Sequence, residues 1–196
     1  MTSHATPINT PPVLIMIRGL PGSGKSYLAQ ALQRTLGLEQ VVLLDPDATD
    51  YSSEAYREMA ARLTAEDVDA KFHPYRFLRA QAYAAIEAGQ YIIWNQAFTN
   101  LDSFTKTVVN LQAYATDHGT KLPLLVVEVS VSTEIAKQRV AEREEQGGHG
   151  VSEEAFSRFI HDYKSFVSEG FRTVSVQGDA AVNTSVSSVL GALEAL

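Results

Sequence analysis

No cysteine occurs in the 196 residues, which excludes a disulfide framework, thiol catalysis and thiolate-bound metal. No apolar run approaches the ~18 residues a membrane helix needs, and the opening MTSHATPINTPP lacks the cationic start and apolar core of a secretory leader. A soluble, unexported, cytoplasmic protein with no membrane partner is the expectation. Positive charge is scarce too: 16 Lys and Arg stand against 23 Asp and Glu, a net charge of −7. That balance gives no general attraction to nucleic acid or anionic membrane and disfavours a polynucleotide partner, although a local basic groove can survive inside an acidic surface. His73, His149 and His161 show no zinc-ligand spacing. A guanine-specific N/T-K-x-D tetrapeptide, an internal repeat and a low-complexity linker are all missing.

What is present suits one domain, because 45% hydrophobic residues in a chain of this length can build a real core. Residues 1–12, with His4, read as a flexible polar tail, and 13–196 as the domain. Apolar runs at Val13 to Arg18, Val41 to Leu44, Gln90 to Trp94, Leu122 to Val129 and Phe171 to Val176 predict five strands. Between them, helical spacing is expected from about Lys25 to Leu36, from Ser53 to Leu63, and in a further stretch ending before His73-Pro74. Other helices are expected from Tyr75 to Ala88, from Thr99 to about His118, from Ser132 to Gln146, and from Thr184 to Leu196. Ser152 should cap another whose buried face is Phe156, Phe159, Ile160, Tyr163 and Phe166. Strands separated by helices throughout imply an α/β fold with a parallel sheet, whose sites lie at the strands' C-terminal ends.

At the first of those ends stands Gly19-Leu20-Pro21-Gly22-Ser23-Gly24-Lys25-Ser26, which fits G-x-x-x-x-G-K-S between a strand and a helix. In such a phosphate loop the glycines turn backbone N–H groups inward around an anion, Lys25 supplies a mobile cation, and the Ser26 hydroxyl can hold Mg²⁺. The following helix directs its positive end at the same place. Gly19, Pro21, Gly22, Ser23, Gly24, Lys25, Ser26 and Tyr27 are therefore the expected contacts of a nucleoside triphosphate.

A phosphate loop alone does not separate kinases from switches and motors, so the remaining ends matter. After the second strand, Asp45-Pro46-Asp47 leaves two carboxylates. Phosphoryl transfer to an alcohol needs one carboxylate near the acceptor to take its proton; Asp47 is the candidate, with Asp45 as structural or metal-linked support, unless both merely cap the next helix. Arg139 and Arg143 lie four apart, hence on one helical face, just before Gln146-Gly147-Gly148-His149-Gly150. A helix, a glycine hinge and a second helix would make a lid over 139–160 that brings arginines onto the phosphates when closed. The plainer reading pairs them with Glu142, Glu144 and Glu145 on a solvated helix. Arg158 is a further lid cation or a surface residue. Arg76 and Arg79 share a face and could meet an anionic substrate. Asn95 ends the third strand, where it could bond substrate or simply terminate the strand.

Together these stretches resemble the zeta toxin and polynucleotide kinase group of small phosphate-loop kinases. Three motifs carry the resemblance: the loop itself, Asp45-Pro46-Asp47, and Arg139-Val140-Ala141-Glu142-Arg143 followed by Gly147-Gly148-His149. The resemblance implies a three-layer fold with a five-stranded parallel sheet and helical lid, and ATP with Mg²⁺. It makes Asp47 the base and gives Arg143, with Arg139, to the transferring phosphoryl group. A zeta toxin would phosphorylate a nucleotide amino sugar and have an antitoxin partner; a polynucleotide kinase would act on a 5′-hydroxyl, and related resistance enzymes on an antibiotic alcohol. The chain departs from the group in two places: Ala48-Thr49-Asp50-Tyr51 follows Asp47 where a basic residue is frequent, and Asn95 replaces the acidic residue seen in part of the group. A small-molecule hydroxyl substrate is the leading expectation, and an ATP-binding regulatory module that transfers nothing is the rival from another class.

Overall fold

The computed structural model describes residues 11–147 and 150–196; the expected tail, up to residue 10, and Gly148-His149 of the expected hinge lie outside them. Five strands, β1 (Leu14–Arg18), β2 (Val41–Leu44), β3 (Tyr91–Asn95), β4 (Leu124–Ser130) and β5 (Thr173–Gln177), form one all-parallel sheet in the order β2-β3-β1-β4-β5. Every residue of β1 is buried, as the central position of a parallel sheet covered on both faces requires. Among the described residues six α-helices lie between the strands, α1 (Lys25–Leu36), α2 (Glu54–Ala65), α3 (His73–Glu87), α4 (Leu101–Asp117), α5 (Thr133–Glu145) and α6 (Glu153–Asp162), and a seventh, α7 (Val182–Glu194), follows the last strand. No helix of the described residues is long and apolar enough to cross a membrane.

Alternation along β1 divides two cores. Leu14 and Met16 face one containing Leu78, Ile86, Phe104 and Leu111 from α3 and α4, whereas Ile15 and Ile17 face one containing Leu28 and Leu32 from α1 and Val189 from α7. α5 and α6 instead share a small cluster of Ala136, Val140 and Phe156. So modest a joint core suits a lobe hinged on the sheet rather than built into it.

Three local expectations need correction. The stretch before His73-Pro74 is one 3₁₀ turn, Ala70–Phe72, running directly into α3; Pro74 falls within the helix's first turn, where its missing N–H costs nothing. The cap of α4 is Asn100 rather than Thr99: its side chain accepts from the Ser103 N–H at 2.8 Å. Finally, α6 stops at Asp162, so Tyr163 and Phe166 are not on its buried face, and Ile160 is 37% exposed. Both departing rings are drawn away to a buried arginine, described below.

Candidate active site

The C-terminal ends of β1, β2 and β3 open into a cavity of about 1230 Å³. Pro21, Gly22, Gly24, Lys25, Ser26 and Tyr27 line it from the phosphate loop, while Gly19 and the buried Ser23 lie behind that surface. Two glycines are obligatory here. Gly22 has φ +78°, and an added Cβ would run into the Ala136 carbonyl of α5; Gly24, at φ +95°, caps α1 in the left-handed region. Lys25 Nζ donates to the Leu20 carbonyl at 2.9 Å. Desolvation by burial pushes Lys25 down to about 8 against the opposing pull of Asp47 and Asp45, and the Arg143 charge adds to the lowering.

The two carboxylates after β2 have different surroundings. Asp45, nearly buried, accepts at Oδ2 from Asn95 Nδ2 (2.6 Å) and Ser26 Oγ (3.4 Å), and at Oδ1 from the Asp47 N–H (2.9 Å). Asp47 is exposed, lines the cavity, and its carboxylate accepts no hydrogen bond from the described residues. Asn95, 3% exposed, also donates to Ser26 Oγ at 2.9 Å, and its Oδ1 is buried without a partner. A hydroxyl, a carboxylate and an amide thus form one chain of contacts across β1, β2 and β3.

Arg139 and Arg143 both line the cavity from α5, but they are held differently. Arg139 Nη1 donates to the carbonyls of Gly178 (3.0 Å) and Gly22 (3.4 Å), tying the loop to the end of β5. Arg143 is exposed, and neither arginine forms an ion pair with Glu142, Glu144 or Glu145; Glu142 accepts from Gln138 instead. Arg76 and Arg79 of α3 line the same cavity, whereas the exposed Arg158 does not.

Several contributors had no local signature. Gly178, just beyond β5, passes so close to the loop that a Cβ there would overlap the Ser23 carbonyl. Lys106 of α4 also reaches the cavity.

The largest fully buried side chain is that of Arg18, the residue before Gly19, at 0% exposure. Its Nη1 pairs with Glu128 Oε1 of neighbouring β4 at 2.5 Å, and its Nε and Nη2 donate to the Phe98 carbonyl at 3.3 and 3.0 Å. Phe98, at φ +46°, adopts a conformation bulky residues rarely take, in the β3–α4 loop that borders the cavity. On the other side, Glu128 accepts from Ser165 Oγ (2.7 Å) and the Phe166 N–H (2.6 Å), and the rings of Phe166 and Tyr163 lie 3.5 and 4.3 Å from the guanidinium carbon. Burial pushes the Tyr163 phenol up to about 12. One ion pair therefore joins the phosphate loop's root, the loop bordering the cavity and the chain leaving α6. Glu128→Ala would strand a buried cation and should destabilise the protein by about 3–5 kcal/mol. Replacing both partners, Arg18→Met with Glu128→Leu, should cost much less; denaturant midpoints test this, and a single-variant loss below about 1 kcal/mol would contradict it.

Solved structures share this fold at low identity. A candidate kinase from Chloroflexus aurantiacus J-10-fl superimposes with a TM-score of 0.65 at 21% identity, over 95% of this chain and 98% of that one. A gluconokinase from Sinorhizobium meliloti 1021 gives 0.56 at 16%, over 94% and 93%. A structure from the PezAT toxin–antitoxin system of Streptococcus pneumoniae gives 0.60 at 13%, over 92% and 73%. No curated protein matches the chain in sequence. The sheet order, the phosphate loop and the helices around them are those of a phosphate-loop kinase fold, and over residues 14–166 the sequence matches the family model described as an AAA domain, AAA_33, so the chain belongs to that family.

Proposed function

We propose that this protein is an ATP-dependent phosphotransferase that moves the γ-phosphoryl group to a hydroxyl of a small anionic metabolite. The observation that carries the reading is that Lys25, Arg143 and the unengaged carboxylate of Asp47 line one cavity. There the acceptor hydroxyl attacks the γ-phosphorus, a new P–O bond forms, and the bond to the β–γ bridging oxygen breaks with its electron pair leaving on ADP. Asp47 accepts the acceptor's proton and later returns it to water. Lys25 and the guanidinium of Arg143 offset the charge on the γ-phosphoryl oxygens.

Ser26 Oγ and Asp45 adjoin each other, beside an amide whose Oδ1 is buried without a partner, and are hard oxygen donors suited to Mg²⁺. That ion would arrive with the triphosphate, complete its shell with phosphate oxygens and water, and neutralise developing charge. Asn95, by donating to both Ser26 and Asp45, keeps the two oxygens together.

Arg139 and Arg143 should separate in kinetics. Arg143→Ala should depress turnover much more than ATP affinity, because an exposed lid arginine meets the phosphates mainly in the closed, charge-developing state. Arg143→Lys should rescue little, since an ammonium lacks the forked contact. Arg139→Ala should chiefly weaken ATP binding, as it releases the Gly22 and Gly178 carbonyls that hold the loop. Unchanged turnover in Arg143→Ala would return α5 to a solvated helix.

A panel of UDP-amino sugars, 5′-hydroxyl oligonucleotides, aminoglycoside alcohols and phosphorylated sugars, assayed for phosphorylated product by mass spectrometry, tests the acceptor. Product from a nucleotide amino sugar supports a zeta-toxin-like activity and makes an antitoxin partner the next object of search. Oligonucleotide or antibiotic product would favour those alternatives, and tight ATP binding with no product would favour a regulatory module.

A further inference from the structure

Among the described residues, six cations line the cavity, Lys25, Arg76, Arg79, Lys106, Arg139 and Arg143, against one carboxylate, Asp47. This concentration stands out in a chain of net charge −7. Three of the six belong to the nucleotide end: Lys25 in the loop, Arg139 bonded to it, and Arg143 one turn further along α5. Arg76, Arg79 and Lys106 belong elsewhere, on α3 and α4, which pack together, with α3 also against Asp47's strand.

Among the described residues nothing neutralises these three. None makes an ion pair with a described residue. Arg76 and Arg79 have no acidic residue three or four positions away on their helix; they stand three apart, so they repel one another. Asp102 is spaced to pair with Lys106 but lies outside ion-pair distance. Arg79 Nε is buried with no hydrogen-bond partner, a state that carries a desolvation penalty. An ordinary solvated helix face would not bury an arginine nitrogen in this state.

Room exists for a second ligand as well. At about 1230 Å³ the cavity exceeds the roughly 300–1,000 Å³ of a site for one small molecule. Ser103 and Thr107 of α4 add hydroxyl groups beside Lys106, and Phe72 and Tyr75, 49% and 44% exposed, add flat apolar walls beside Arg76.

We infer that Arg76, Arg79 and Lys106 form a second anion site, and that the acceptor alcohol carries a phosphate or carboxylate group of its own which binds there while its hydroxyl faces Asp47. This rests on the phosphotransfer reading for the role of the anion but not for its binding. The anchored group does not react. It fixes the acceptor at the far end of the cavity, so that orientation rather than chemistry separates substrates from neutral alcohols and water.

The whole protein, saturated with Mg²⁺ and a non-hydrolysable ATP analogue so that the phosphate loop is filled, should bind a second anion. Titration with inorganic phosphate and, separately, acetate, followed by amide chemical-shift changes, should show saturable binding of at least one, and the better ligand identifies the anion. Arg79→Gln with Lys106→Gln should weaken that binding by about ten-fold or more without changing analogue affinity; the single variants of the exposed Arg76 and Lys106 serve if the double variant does not fold. In the transfer assay, an acceptor bearing the anion should exceed its neutral counterpart in kcat/KM by a similar factor, and the difference should vanish in the double variant. Absence of saturable binding, or binding unaltered by all these substitutions, overturns the inference. Phosphorylation of neutral and anionic alcohols at equal efficiency also overturns it while leaving phosphotransfer standing. A second anion that binds without phosphorylation of any acceptor upholds the site and removes the phosphotransfer reading.

Discussion

Lys25→Ala should lower phosphoryl transfer by roughly 10³-fold or more, the range expected for a cation on a transferring phosphoryl group. Lys25 is the loop's own cation, it lines the cavity, and its Nζ is held by the Leu20 carbonyl. The fold should survive, because that hydrogen bond is local and the loop's shape depends on Gly22, Gly24 and the Arg139 bridge. Stability gives an independent check with a definite sign. Burial lowers Lys25 to about 8 from 10.5, so the folded state disfavours its charged form. The empty protein is destabilised by this residue below pH 8, and the penalty fades as pH rises from 8 to 10.5. The alanine variant lacks the penalty, so at neutral pH its melting temperature should equal or exceed that of the parent. Near-normal turnover, or a clear drop in melting temperature, would contradict the assignment.

Asp47→Asn should reduce transfer by ~10²- to 10⁴-fold with ATP affinity retained, since the amide keeps the shape but cannot take a proton. The contrast with its neighbour sharpens the expectation. Asp45 is held on both oxygens by Ser26, Asn95 and the Asp47 N–H, so Asp45→Asn should disturb metal-dependent ATP binding as well as turnover. The Asp47 carboxylate has no such engagement with a described residue. If Asp45→Asn keeps ATP affinity and loses transfer while Asp47→Asn remains active, the two roles are exchanged.

The parts of this site legible in the sequence are those coded within a few residues. Gly19 to Ser26 carries its own backbone requirements, and Pro46 ends β2 so that Asp45 and Asp47 fall at the sheet's C-terminal edge. Strand and helix alternation likewise yields the parallel sheet, because buried parallel strands are continuous apolar runs. Contacts between distant segments were not legible. Arg18 and Glu128 lie 110 positions apart, and each looks like an ordinary strand-end charge until β1 and β4 pair. The same pair explains the misread end of α6: Phe159, Tyr163 and Phe166 keep helical spacing, but stacking on Arg18 and the Phe166 N–H bond to Glu128 pull the chain out of the helix. Gly178 gave no signal either, since its need for glycine arises only where β5 meets the loop.

Transfer of label from γ-labelled ATP to a hydroxyl acceptor, measured with the parent protein and Lys25→Ala side by side, tests the central claim most directly. A labelled phosphoester formed by the parent, dependent on Mg²⁺ and lost in the variant, is the predicted result. Tight binding of ATP by the parent with no label on any acceptor, or equal labelling by both proteins, would contradict it.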